Sequence, residues 1–203
     1  MIMNGEVEKV IQQEAHALAS IPLDQDFDGV VDLLYRRIHL QGGKLIASGM
    51  GKAGQVANNI ATTFSSTGTP TIFLHPSEAQ HGDLGVIREN DVLLVLSNSG
   101  KTREILELVE LTHRLHVGIP VVLITGNPEG ELVKEAVYTL HTGNPQEVCP
   151  LGLTPTTSTT VMMVIGDALT VLLMKKIGFG AVDYARRHHG GYLGEKSRKF
   201  TGS

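Results

Sequence analysis

Five short apolar runs separated by helical segments fill residues 44–140, and this alternation restricts the possible folds more than any other feature. The runs are Lys44–Ala47, Thr71–Leu74, Val92–Leu96, Val121–Ile124 and Val137–Leu140. Most are continuous rather than alternating, as expected of parallel strands covered on both faces. Helical spacing appears between them at Gln55–Ser66, Arg103–His116 and Gly130–Glu135. The pattern predicts an α/β fold: a doubly wound, five-stranded, mainly parallel sheet flanked by helices. Two charged helical segments precede it. Glu6–Ser20 carries Val7, Val10, Ile11 and Leu18, and Phe27–Leu40 carries Val30, Val31, Leu34 and Ile38 as its apolar stripe. Gly42-Gly43 ends the second. A long helix over Ser158–Lys176 and a short one over Ala181–Arg187 follow the last strand. With no repeat, linker or break in composition, a single domain over 1–203 is expected: helices in 4–41, the α/β core in 43–177 and a tail in 178–203.

Composition removes several function classes. With 41% hydrophobic and 19% charged residues, the chain can bury a core and is not of the disordered type. Its single cysteine excludes a disulfide framework or a cysteine-rich zinc site and fits the cytosol. A net charge of −4 lacks the basic footprint of a nucleic-acid binder, so an anionic ligand needs a local pocket of donors. The absence of Trp, with aromatics at 4%, argues against a stacked carbohydrate platform. No basic segment followed by an apolar run opens the chain, so no signal peptide is expected. The apolar stretch Val161–Met174 is interrupted by Gly166, Asp167 and Thr170 and falls short of the roughly 20 residues that span a bilayer. It reads as a helix buried in a core or at a subunit interface, and the expected location is cytoplasmic.

In such a sheet, ligands bind at the carboxyl ends of the strands. The first run leads into Ser48-Gly49-Met50-Gly51-Lys52-Ala53-Gly54, which lacks P-loop spacing and fits either an anion site at a helix start or a tight turn. The third leads into Ser97-Asn98-Ser99-Gly100-Lys101-Thr102, where three hydroxyls suit a phosphate monoester, although an N-cap needs only one. A further hydroxyl run, Thr154–Thr160, opens the long helix as an anion cradle or a β-branched stretch awaiting packing. His75 and His81 flank the loop after the second run, and His188-His189-Gly190-Gly191 lies near the C-terminus. The histidine spacing with one nearby Glu is weak as a zinc signature. Cys149 reads as a small buried apolar residue.

Taken together, GMGKAG, STGTP, HPSEAQHGDLG, SNSGKTREI, EVCPLGLTPTTSTT, GDAL and HHGGYLG, in order between Gly43 and Gly194, resemble the sugar isomerase (SIS) domain of D-arabinose 5-phosphate isomerases. SNSG is common to SIS domains, whereas HPSEAQHGD and CPLGLTPTTSTT are specific to this subfamily. The larger relatives carry a pair of CBS modules after the SIS domain. This chain runs about nine residues past Gly194 and is similar to the SIS-only form. The resemblance implies aldose–ketose isomerisation between ribulose 5-phosphate and arabinose 5-phosphate, supplying Kdo for lipopolysaccharide or capsule, with no cofactor. It implies Lys52, Glu104, Glu147, His188 and His81 as catalytic residues. Substrate contacts would come from Ser48, Gly49, Gly68, Thr69, His75, His81, Ser97, Asn98, Ser99, Thr102, Thr157 and Ser158. It also implies an inhibitory zinc at His75, and a homo-oligomer, in the tetrameric form, whose His188 reaches a neighbouring subunit's site. The family has proline after its histidine, where this chain has His189, so His188 and His189 both stay candidates.

Transfer of a proton between C1 and C2 through a cis-enediol needs a base and a donor to the enediolate. Lys52 fits the donor. Burial in its irregular loop is expected to raise the pKa of Glu147 and favour it as base, whereas a helix start would weaken Glu104. The phosphate is expected at the Ser97–Thr102 turn with help from Thr156–Thr160. Two rivals remain: a non-catalytic sugar-phosphate sensor, which has no need of the acid–base set, and another SIS isomerase of the 6-phospho-3-hexuloisomerase type, against which HPSEAQHGD argues.

Overall fold

The computed structural model describes residues 2–190, 192 and 196–197, so Gly191, Leu193 and Gly194 of the last motif lie outside the described residues. Five strands form one sheet in the order β2-β1-β3-β4-β5, every neighbouring pair parallel: β1 Leu45–Gly49, β2 Thr71–Phe73, β3 Val92–Leu96, β4 Val121–Thr125 and β5 Tyr138–His141. β1 lies between β2 and β3, with Leu45 opposite both Thr71 and Val92. All five residues of β1, β3 and β4 are buried, which is why these runs are continuous.

Alternate residues enter two cores. Leu45, Ala47, Leu94, Leu96, Val122 and Ile124 face the layer made by α1 (Ile2–Ala19), α2 (Phe27–Leu34), α3 (Gly51–Ser66) and α6 (Thr157–Ile177). Ile46, Leu93, Val95, Val121 and Leu123 face the other side, with Ile105, Leu108 and Val109 of α5 (Arg103–Leu115). Short α4 (Pro76–Ala79) packs on α5, and α7 (Ala181–Ala185) follows α6. The segment expected as a helix at 130–135 is one 3-10 turn, Glu131–Lys134, too short for a full apolar stripe.

The N-terminal helices differ from expectation. α2 starts on Asp26, whose carboxylate accepts the Gly29 N–H at 2.7 Å, and continues into a π-helical turn over Tyr35–Leu40. Its Val30, Val31, Leu33 and Leu34 share a core with Ile165, Leu169 and Leu173 of α6. The long helix is therefore covered in part by these charged segments, which supply more apolar surface than their charge suggests. In α1, by contrast, residues 4–13 are all exposed, so Val7, Val10 and Ile11 form no packed stripe within the chain. α6 is 21 residues, longer than the uninterrupted stretch suggested, and is long and apolar enough to cross a membrane by length and composition alone. Half of its apolar window is buried inside this chain. The free edge of β5 is closed by Gln25, whose amide donates to the His141 carbonyl at 3.1 Å and accepts the His141 N–H.

Candidate active site

The carboxyl edge of the sheet gathers most of the candidate residues. β1 ends directly on the first turn of α3. A Cβ at Gly54 would lie 2.5 Å from the Gly49 carbonyl oxygen, and one at Gly49 would lie 2.9 Å from the main chain of Ala53. These two glycines are explained by helix–strand packing. That contact leaves Lys52, one residue into α3, exposed and without a side-chain hydrogen-bond or ion-pair partner among the described residues. Ser48 is buried and donates to the Leu74 carbonyl at 2.6 Å, tying β1 to the segment that delivers His75. His75 stands edge-on to Phe73, and its Nδ1 is buried without a partner among the described residues. His81 is exposed at the end of the same loop.

The turn after β3 is fixed from behind. Gly100, at φ 62°, presses its Cα against Gly130, and a Cβ there would lie 2.9 Å from the Gly130 Cα. Gly126 N–H donates to the Asn98 carbonyl at 3.1 Å, and Asn127 Nδ2 to the Ser99 carbonyl at 2.8 Å. Asn98 and Ser99 remain exposed. Thr102 occupies the N-cap position of α5, but its hydroxyl pairs with buried Ser97 at 2.7 Å and does not cap. The start of α5, with half-buried Glu104 in its first turn, is thus left without a side-chain cap, the arrangement an anion completes.

Glu147 reaches the N-terminus of α6 from the loop before it. Its Oε2 accepts the Thr156 N–H at 2.6 Å, the Thr156 hydroxyl at 2.9 Å and the Ser158 N–H at 3.3 Å, while Oε1 accepts the Ser158 hydroxyl. Burial by itself would push this carboxyl's pKa up, but the bonds from Ser158 and Thr156 outweigh it and hold the pKa below the usual range. The expectation of a raised pKa is corrected: the sequence shows the loop, not the donors waiting at the helix start. The hydroxyl run is likewise engaged within the chain. Thr157 bonds to Glu14, Ser158 to Glu147, and Thr159 and Thr160 to the Thr156 carbonyl. Thr157 and Ser158 are each 1% exposed, so their hydroxyls do not open onto a phosphate site as expected. Cys149 is half-buried rather than buried. The nearby Thr154 hydroxyl, then the N–H groups of Thr154, Leu151 and Leu153, lower its pKa from 9.0 to about 6.

Three expected site residues lie at the other end of the molecule. Gly68 and Thr69 precede β2, at the amino edge of the sheet; Gly68 packs against the Phe179 ring, and buried Thr69 bonds to His39 at 3.1 Å. Burial lowers the pKa of that His39. His188 follows α7, stacked on Tyr184 at 3.7 Å with its Nδ1–H donating to the Tyr184 carbonyl at 3.0 Å. Lys52 is the second residue of α3, and the fourteen that follow it to Ser66 separate it from that end by about 21 Å of helix. His189 is exposed. Among the described residues no three His, Cys, Asp or Glu side chains come together as metal ligands, and His75 belongs to no such group.

With this geometry in place, comparison with known proteins identifies the group. A model of the SIS domain matches residues 40–172. The chain belongs to the SIS domain family. Arabinose 5-phosphate isomerase KdsD of Shigella flexneri is 45% identical over 93% of this SIS chain and 56% of its own length. KdsD of Pseudomonas aeruginosa is 51% identical over 76% of the chain and 47% of its own length. The chain spans about half the length of these relatives. A Bacteroides fragilis protein assigned as a phosphosugar isomerase involved in capsule formation is 56% identical at a TM-score of 0.92, over 94% of this chain and 99% of its own. The c3406 protein of E. coli CFT073, solved in complex with arabinose 5-phosphate, is 31% identical at a TM-score of 0.82, covering 90% and 95% respectively.

Proposed function

We propose that this SIS domain is a phosphosugar isomerase interconverting ribulose 5-phosphate and arabinose 5-phosphate in the cytoplasm, supplying Kdo for lipopolysaccharide or capsule. The observation that carries the reading is the carboxyl edge itself. An uncapped α5 start beside Ser97–Thr102 suits a phosphate, and Lys52, Glu104 and Glu147 supply acid–base groups on the same edge. A sensor needs the first feature and not the second. The relative bound to arabinose 5-phosphate and the KdsD relatives support the same substrate class.

In this mechanism the phosphate docks on the Ser97–Thr102 turn and the α5 dipole, without the α6 hydroxyls. Glu147 takes a proton from C1 of the ketose and delivers one, in part exchanged with solvent, to C2; the donors that hold its pKa down keep it ionised and make it a weaker base than burial alone would. The Lys52 ammonium stabilises the enediolate oxygen. Glu104 and His81 move the proton between the two oxygens. His188 keeps Nε2 free, because its Nδ1–H is spent on Tyr184. Its place at the far end of its own chain favours service in a neighbouring subunit's site. The exposed Val7, Val10 and Ile11 of α1 give a second copy an apolar surface, in keeping with a homotetramer. Incubating the purified protein with ribulose 5-phosphate and identifying the product by NMR tests the function. Arabinose 5-phosphate is expected; tight binding of the sugar phosphate with no product would make the chain a sensor.

A further inference from the structure

Glu14 and Glu147 lie 133 residues apart, yet both carboxylates end on the first turn of α6. Glu147 holds Thr156 and Ser158. Glu14, from α1, accepts the Thr157 hydroxyl between them at 3.0 Å. The same Thr157 oxygen accepts the Val148 N–H at 3.2 Å, and Val148 is the residue after Glu147. A hydroxyl has one proton to give. With that proton committed to Glu14, a lone pair is free to face Val148. Without Glu14 that proton has no described acceptor, since Thr157 opens α6 and has no preceding helix turn to bond, so nothing fixes the lone pair toward Val148. Thr157 is 1% exposed, so water does not substitute. Glu14 also keeps its second oxygen, Oε2, buried with no partner among the described residues. A buried unpaired carboxylate oxygen is costly, and a helix contact alone would not require it.

We infer that Glu14 is a positioning residue for the isomerisation: through Thr157 it holds the Val148 main chain and so aims Glu147. The inference rests on Glu147 acting as the base. The test compares Glu14→Ala, Glu14→Gln, Thr157→Val and the double variant Glu14→Ala/Thr157→Val in the full chain, with kcat and KM for ribulose 5-phosphate and hydrogen exchange at the Val148 amide. Glu14→Ala should lower kcat roughly ten- to a hundredfold, as a misaimed catalytic group does, with KM within about twofold. Val148 exchange should quicken. Glu14→Gln, whose amide oxygen still accepts from Thr157, should recover most of kcat. The double variant should be no worse than either single one, because both cut the same link. If Glu14→Ala does not fold, Thr157→Val carries the same expectation. Full kcat or unchanged Val148 exchange in a folded Glu14→Ala protein overturns the inference, as does Glu14→Gln as impaired as Glu14→Ala. Full kcat in Glu147→Gln is a different failure: it removes the base itself, and this inference with it.

Discussion

At Glu147 and Cys149, near neighbours in one loop, nearby donors lower the pKa. For Glu147 they override burial, so its pKa in the folded chain lies below the ordinary 4.5. The stabilisation this gives is complete above about pH 4.5 and is lost as pH falls through the folded-state value. The Tm advantage of the protein over Glu147→Gln should therefore shrink on going from about pH 5 to about pH 3; an advantage independent of pH would contradict the bonding described. For Cys149, Thr154 and the main chain of residues 151–154 bring the thiol to about 6. Alkylation by iodoacetamide should follow a titration centred there, and Thr154→Val should move it upward. A midpoint near the usual 9.0 would show that the donors do not engage the sulfur. On the catalytic side, Ser99→Ala should raise the substrate KM by roughly tenfold or more, by losing a bond to a charged group worth about 1.5–3 kcal/mol. An unchanged KM would remove the phosphate from this turn.

Among the elements, α3 and α6 show how close packing depends on one missing side chain. A Cβ at Gly166 would lie 2.5 Å from the Cδ1 of Ile60. Gly166→Ala should cost about 1–3 kcal/mol through overpacking, measured by denaturant unfolding. No loss in Gly166→Ala would mean the helices are further apart. Much at this scale was legible in the sequence. The continuous apolar runs at β1, β3 and β4 are strands buried on both faces, which leaves no reason to alternate. The Ser97–Thr102 turn was legible too, since its glycine and hydroxyls sit where a strand meets a helix. What stayed hidden depends on partners distant in sequence. The hydroxyls of Thr157 and Ser158 read as free, because nothing local marks Glu14 and Glu147 as their acceptors. Glu14 itself reads as one more charge on a solvated helix. Gly68 and Thr69 carry a family motif, but the turn they form is at the amino edge of the sheet.

For the whole molecule, the proposal that His188 serves a second copy rests on its place after α7, where its neighbour Arg187 lies over Phe179 and Phe179 packs on Gly68, past the end of α3 away from Lys52. Mixing His188→Ala with Glu147→Gln after dissociation and reassembly should restore some activity in the hybrids. Confirmed hybrids without recovery, or a monomer by light scattering, would contradict a shared site. If His189→Ala is inactive and His188→Ala active, the roles of the two histidines are exchanged. The central claim, that this edge moves a proton between adjacent carbons of a phosphosugar, is tested most directly by running the reaction in D2O. Ribulose 5-phosphate should yield arabinose 5-phosphate carrying solvent deuterium at C2, and Glu147→Gln should abolish the conversion. No aldose, or full conversion by Glu147→Gln, would contradict the claim.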